Sequence, residues 1–213
     1  ALFAKRVEMT SMPQLVALFN GFGGLSSLLV ATAVVYKGSL PATFTLSTIS
    51  LSILIGSITF SGSLVAFAKL QGLMRGSPLA FKGTQIFNGL LILAVIVMTV
   101  FSILNPDQLF DYFLWIIIFS LVIGYYFVVP IGGADMPVVI ALLNSFSGLA
   151  AAATGFVIQN DALIISGALV GASGIILTNI MCKGMNRTIW NVLFVGIKVS
   201  TSTAESVQKT AKS

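Results

Sequence analysis

Gly132-Gly133-Ala134-Asp135-Met136-Pro137-Val138-Val139-Ile140-Ala141-Leu142-Leu143-Asn144-Ser145-Phe146-Ser147-Gly148 is the stretch around which the chain is organised. A charged turn runs into a proline-started apolar helix that carries one asparagine near mid-span. Proline suits a first helical position, where its missing N–H has no intrahelical partner in any case. An earlier stretch answers it: Ser11-Met12-Pro13-Gln14-Leu15-Val16-Ala17-Leu18-Phe19-Asn20-Gly21-Phe22-Gly23-Gly24-Leu25. Displaced by 124 positions, the Met, Pro, Ala, Leu, Asn, Phe, Gly and Leu residues of the two stretches coincide.

The surrounding chain is too apolar for water. Of 213 residues, 57% are hydrophobic and 8% charged, with a mean hydropathy of +1.04, whereas soluble domains carry about a quarter charged residues. These values predict an integral membrane protein and exclude a soluble enzyme. In hydrocarbon every backbone polar group must be paired within helices or a closed barrel. Long apolar runs without period-two alternation choose helices.

Six spans are expected, over residues 12–36, 46–69, 84–105, 108–130, 137–158 and 161–183. Each is close to the ~20 residues that a crossing needs. Turn residues separate them, such as Arg75-Gly76-Ser77-Pro78 and Gln159-Asn160-Asp161. With a cytoplasmic N-terminus, Lys5, Arg6, Lys69, Arg75, Lys82, Lys183, Arg187, Lys198, Lys209 and Lys212 fall inside and only Lys37 outside. That bias follows the positive-inside rule. It assigns the net charge of +5 to topology and anionic lipid; nothing in it suggests a nucleic-acid partner.

Four spans carry small or polar residues at i, i+4, i+7 and i+11. These are Asn20, Gly24, Ser27 and Ala31; Ser52, Gly56, Thr59 and Ser63; Asn144, Gly148, Ala151 and Gly155; and Gly167, Gly171, Gly174 and Thr178. Such stripes let helix backbones approach closely where lipid supplies no hydrophobic drive. Spans three and four are bulkier and expected at the periphery. Spans one and two match spans five and six, more weakly through Ser61-Gly62 and Ser173-Gly174. An even number of crossings separates the copies, so the repeat is parallel, about an axis along the membrane normal. The fold class is an all-α membrane bundle of six helices with a parallel internal repeat.

Asn20 and Asn144 sit deep in their spans, where an unpartnered amide is costly. Each is either an interhelical packing bond or part of a polar pathway with Ser145, Thr59 and Ser63. Asparagine does not titrate, so in a pathway it orders water or gates. Asp135 precedes Met136-Pro137 as a candidate N-cap whose carboxylate accepts first-turn N–H groups, with Ser11 as its mate in the repeat. The capping reading is the stronger; the alternative is an ionisable group at the cytoplasmic mouth of a pathway, and the two roles are compatible. Lys183 and Arg187 end span six as snorkelling charges or as a charged hinge. The chain has no histidine, which leaves no nucleophile–base pair and no clustered metal ligands. Cys182, the lone cysteine, reads as packing. Gly21-Phe22-Gly23-Gly24 lacks a preceding strand and is rejected as a nucleotide loop.

Residues 184–196, with Trp190 and Phe194, suggest an interfacial segment. From Lys198 onward the chain is a polar, low-complexity linker, expected to tether a further cytoplasmic domain. The start without Met is expected to mark a fragment or a processed chain.

Several pieces resemble the membrane domain of the proton-translocating NAD(P) transhydrogenases, in their beta subunit or its equivalent. They include 5–17 (Lys5-Arg6-Val7-Glu8-Met9-Thr10-Ser11-Met12-Pro13 and onward), Thr59-Phe60-Ser61-Gly62-Ser63, Ile131 to Val139 with its Gly-Gly-Ala-Asp-Met-Pro core, Leu143 to Gly148, Gly167 to Gly174, and Ile180 to Arg187. The resemblance covers nearly the whole chain and is least in spans three and four. It implies proton flow through this domain, coupled to hydride transfer between NADH and NADP⁺ in soluble domains. The implied partners are an alpha subunit or preceding transmembrane segment, NAD(H)- and NADP(H)-binding domains, membrane lipid, and a second copy of the whole complex. The cofactors NADP(H) and NAD(H) belong to those partner domains. The resemblance places Asn144 on the proton path and gives Asp135, Gly167, Gly171, Ser173 and Gly174 a role in coupling. It sets Lys183 and Arg187 against the NADP(H) domain, in a bacterial or mitochondrial inner membrane.

One departure stands out. Many members of that family carry a histidine, their proposed proton carrier, where this chain has Asn20. The titrating group would then come from a helix of the partner subunit or of a preceding segment. Two other classes stay open on the residues alone: a small secondary transporter with a mid-membrane solute site, and a structural membrane anchor.

Overall fold

A computed structural model describes residues 11–37, 43–77, 84–105 and 108–193. Six long helices follow one another: α1 (Met12–Tyr36), α2 (Thr43–Leu70), α3 (Thr84–Leu104), α4 (Leu109–Val128), α5 (Met136–Ile158) and α6 (Asp161–Gly184). A 3₁₀ turn at Gly133–Asp135 precedes α5, and a short α7 (Ile189–Leu193) closes the described chain. All six long helices are apolar and long enough to cross a membrane. The expected spans, the all-helical class and the integral membrane character are those of the structure.

Pro13 and Pro137 sit in the first turns of α1 and α5, as expected from the two answering stretches. The α5–α6 connection is only Gln159-Asn160. Gln159 adopts a left-handed backbone (φ 54°) that ends α5. The Asn160 side chain accepts from the Leu163 N–H at 3.0 Å and starts α6.

The small stripes draw these helices together. Every stripe residue is buried except Asn144 and Ala151, which are half-buried. A Cβ built on Gly24 would lie 2.6 Å from the Gly56 carbonyl oxygen across the α1–α2 seam. Its repeat mate Gly148 does the same for α5–α6, with a Cβ only 2.5 Å from the Gly171 nitrogen. The repeat-related glycines of α1 and α5 thus each hold the following helix close, through partners on α2 and α6 that are not repeat mates.

The surroundings of the copies differ. Helix α2 is enclosed by α1, α4 and α5, whereas α6 packs against α5 and leaves its opposite face exposed. Helix α3 is peripheral, as its bulky sequence suggests. The expectation that span four is peripheral fails, because Gly124 lets α4 press against Ile58 and Ser61 of α2, while Phe113, Ile116 and Ile123 are buried.

Two apolar clusters fill the bundle. One joins Ala17, Val65, Ala66, Val128, Met136, Val139, Leu143, Cys182 and Val192, at the end where α2 and α6 stop and α5 begins. The other joins Leu28, Ala31, Ile49, Ile53, Phe113, Ile116 and Val157 toward the opposite end. The buried residues between them in α1, α2 and α5 are small or polar.

Candidate functional site

That middle layer is built by side chains that α1, α2, α5 and α6 turn toward one another. Asn20 is buried, and its Nδ2 donates to the Ile140 carbonyl at 3.3 Å. Ile140 lies one helical turn before Asn144, so the first asparagine of the repeat bonds the turn that carries the second. Asn144 itself is half-buried, and its amide makes no hydrogen bond among the described residues. Ser145 Oγ donates to the Gly171 carbonyl at 2.6 Å. The Ser52 and Thr154 hydroxyls lie 2.7 Å apart, with Ser52 also reaching the Ser27 carbonyl at 3.4 Å. Thr59 is buried and bonds back to the Ile55 carbonyl. Ser63 faces Gly21 of α1; its buried hydroxyl, like those of Ser57 and Ser120, has no partner among the described residues.

The glycines of α6 face α5. A Cβ on Gly167 would meet the Ala152 nitrogen at 2.5 Å, and one on Gly174 the Ser145 backbone at 2.8 Å. Ser173, grouped with them by sequence, lies instead on the exposed face of α6, its hydroxyl turned back to the Val170 carbonyl. Gly21, Gly23 and Gly24 lie within α1, and the space beside them is filled by α2 and by Ser147 of α5. Their closeness serves helices, and no dinucleotide fits there.

At the charged end, the 3₁₀ turn delivers Asp135 to the start of α5. The carboxylate does not cap that helix. It accepts instead from Arg187 Nη1 at 2.9 and 2.8 Å, one contact to each oxygen. This corrects the N-cap reading for physical reasons: Pro137 removes a first-turn N–H, and a guanidinium makes a stronger, charge-assisted bond. Asp135 is buried while Arg187 is half exposed. The turn after α6 aims Arg187. Asn186 has a positive φ (53°), and the Arg187 N–H donates to the Cys182 carbonyl at 2.9 Å. Lys183 is exposed and has no ion pair among the described residues.

The site is thus a layer of buried small and polar side chains in an apolar bundle, with the Asp135–Arg187 ion pair at one end. A family model described as NAD(P) transhydrogenase beta subunit matches residues 1–213. The chain belongs to that family. Two curated proteins named NAD(P) transhydrogenase subunit beta, both of Rhodospirillum rubrum, are 48% identical to it over 203 residues. The alignment covers 92% of this chain and 43% of each relative, so the chain spans less than half the length of the relatives it matches.

Sequence reasoning missed one residue of this end. Lys69, counted there only toward topology, is buried in the last turn of α2. Its ammonium donates to the carbonyls of Val129 and, at 2.7 Å, Ile131, with Val128 at 3.4 Å. The available signal was a lysine inside the apolar limit of a span, where an ionisable group needs a partner.

Proposed function

We propose that this chain is the proton-conducting membrane domain of an NAD(P) transhydrogenase, coupling proton movement to hydride transfer between NADH and NADP⁺ in attached soluble domains. The observation that carries the reading is the bond from Asn20 to the turn bearing Asn144, in a hydroxyl-lined layer below the Asp135–Arg187 pair. Asn20, Asn144, Ser145, Thr59 and Ser63 form the path. The unpaired amide of Asn144 and hydroxyl of Ser63 offer groups to water, since buried polar atoms without protein partners are satisfied by ordered water. None of these side chains titrates near neutral pH. The titrating group is therefore supplied by a helix of the alpha subunit or of a preceding segment.

Coupling runs along α5 and α6. Gly167, Gly171 and Gly174 set the spacing of these helices, and Asp135 fixes Arg187 where the chain leaves the membrane. Lys183, exposed beside it, and Ser173 on the outer face of α6 are placed to meet neighbouring parts of the complex. Residues 1–183 constitute the transmembrane domain. Residues 184–213 are the interfacial segment and linker toward an NADP(H)-binding domain; α7 falls in this segment, and the linker lies outside the described residues. The nicotinamides bind in the soluble domains, and the complete enzyme is a dimer in a bacterial or mitochondrial inner membrane.

The test uses the complete complex in liposomes, comparing native protein with Asn144→Leu while following hydride transfer and internal pH together. Joint collapse of both, with NADP(H) still bound by the soluble domain, is expected. Native pumping and turnover would make Asn144 a packing residue and remove the assignment of this layer as a path.

A further inference from the structure

Lys69 carries a charge that the reading above leaves unused. It lies in the last turn of α2 and is only 6% exposed. An ammonium has three protons to donate, and here three carbonyls receive them, those of Val128, Val129 and Ile131. These are the last carbonyls of α4 and of the turn that follows it, where the helix dipole is negative; the Val128 carbonyl also accepts from the Ile131 N–H at 3.1 Å.

The same turn is fastened a second time to the segment after α2. The Gly133 N–H donates to the Gly76 carbonyl at 2.9 Å. The two fastenings, at 128–131 and at Gly133, leave only Gly132 between them, and Asp135 lies two residues beyond. Asp135 makes no cap bond of its own; its position is set by what holds this turn. Arg187, its partner, is held separately by the end of α6. The ion pair is thus where two independently anchored segments meet. Thr59 and Ser63 of the polar layer lie on α2 itself, ten and six residues before Lys69.

We propose that Lys69 is a positioning residue of the coupling machinery: by closing the carbonyl end of α4 it holds the 129–135 turn so that Asp135 meets Arg187, and it passes displacements of α2 to that pair. The proposal rests on the proposed function for the role of the pair, and it gives α2 a route to the exit of the membrane domain that does not run through α6. The alternatives are a lysine that serves stability alone and a lysine that itself carries the proton.

The experiment uses the complete transhydrogenase in liposomes with Lys69→Met, Lys69→Gln, Lys69→Arg, Asp135→Asn and the Lys69→Met/Asp135→Asn double variant. Hydride transfer, internal pH and NADP(H) binding are followed in each. Lys69→Met is expected to slow coupled turnover by up to about a hundredfold, the scale of a misplaced functional group, with NADP(H) binding intact. Lys69→Arg is expected to restore most of it, because a guanidinium keeps the charge and the donors. The double variant should be no slower than Asp135→Asn alone, since both act at one point. If Lys69→Met does not assemble, Lys69→Gln with Asp135→Asn completes the same cycle.

Multiplying effects in the double variant would show that Lys69 acts independently of Asp135 and would overturn the proposal. A Lys69→Arg variant as slow as Lys69→Met would overturn it in favour of a proton carrier. Slow Asp135→Asn beside native-like Lys69→Met would remove the Lys69 proposal alone. A native-like Asp135→Asn would remove the coupling role of the pair, and with it both readings.

Discussion

Gly148→Ala adds one methyl group where two helix backbones touch. Its Cβ would lie 2.5 Å from the Gly171 nitrogen and 2.9 Å from the Gly167 oxygen. These are backbone atoms, which no rotamer change moves aside, so α5 and α6 must separate by about 1 Å to regain ordinary contact. That displacement carries Ser145 Oγ, now 2.6 Å from the Gly171 carbonyl, to about 3.6 Å, where the bond is lost. Overpacking of this kind costs about 1–3 kcal/mol, and the lost bond about 1 kcal/mol more. The combined penalty, about 2–4 kcal/mol, is a large fraction of a membrane domain's margin. The assay is thermal inactivation of the complete enzyme, together with coupled turnover below the transition. Gly89→Ala is the control: nothing lies within 4 Å of its Cβ, and alanine is the better helix former by ~1 kcal/mol. Gly24→Ala, at the repeat mate, should resemble Gly148→Ala, because its Cβ would sit 2.6 Å from the Gly56 oxygen. Unchanged stability and turnover in Gly148→Ala would refute the glycine contact as the spacing device of this hairpin.

Asn20→Leu removes the bond to Ile140 across α1 and α5; a loss of about 1 kcal/mol is expected, with proton pumping falling more than stability. Normal pumping in reconstituted vesicles would place Asn20 outside the path. Gln159→Gly relieves a side chain held at φ 54° and should stabilise the α5–α6 turn by about 1 kcal/mol, read as a higher inactivation temperature with unchanged turnover. A lower temperature would mean that the Gln159 side chain makes contacts that outweigh its backbone strain.

Hydrophobic length and turn residues were enough to locate the helices, because a helix in hydrocarbon must pair its own backbone, and that constraint is local. The expected spans and the helices agree to within a few residues. The small stripes were legible for a similar reason: close backbone approach demands small side chains, and 3.6-residue spacing shows which ones share a face. The Asn20–Asn144 relation was visible as a repeat.

Relations between distant segments were not legible. No spacing rule told that Asp135 would leave its own helix end uncapped for Arg187, fifty-two residues away. Nor did any show that Lys69 would spend its charge on the carbonyls of α4, or that Ser173 would face outward while Gly171 and Gly174 faced α5. The duplicated sequence also concealed an asymmetry. Both hairpins close on a repeat-related glycine, Gly24 or Gly148, yet α2 is enclosed and α6 is left with an open face. Composition, periodicity and the repeat determined a parallel-duplicated helical membrane domain. Which copies became central, and which charges met, was decided by tertiary packing, because a helix face binds whatever surface the other helices bring to it.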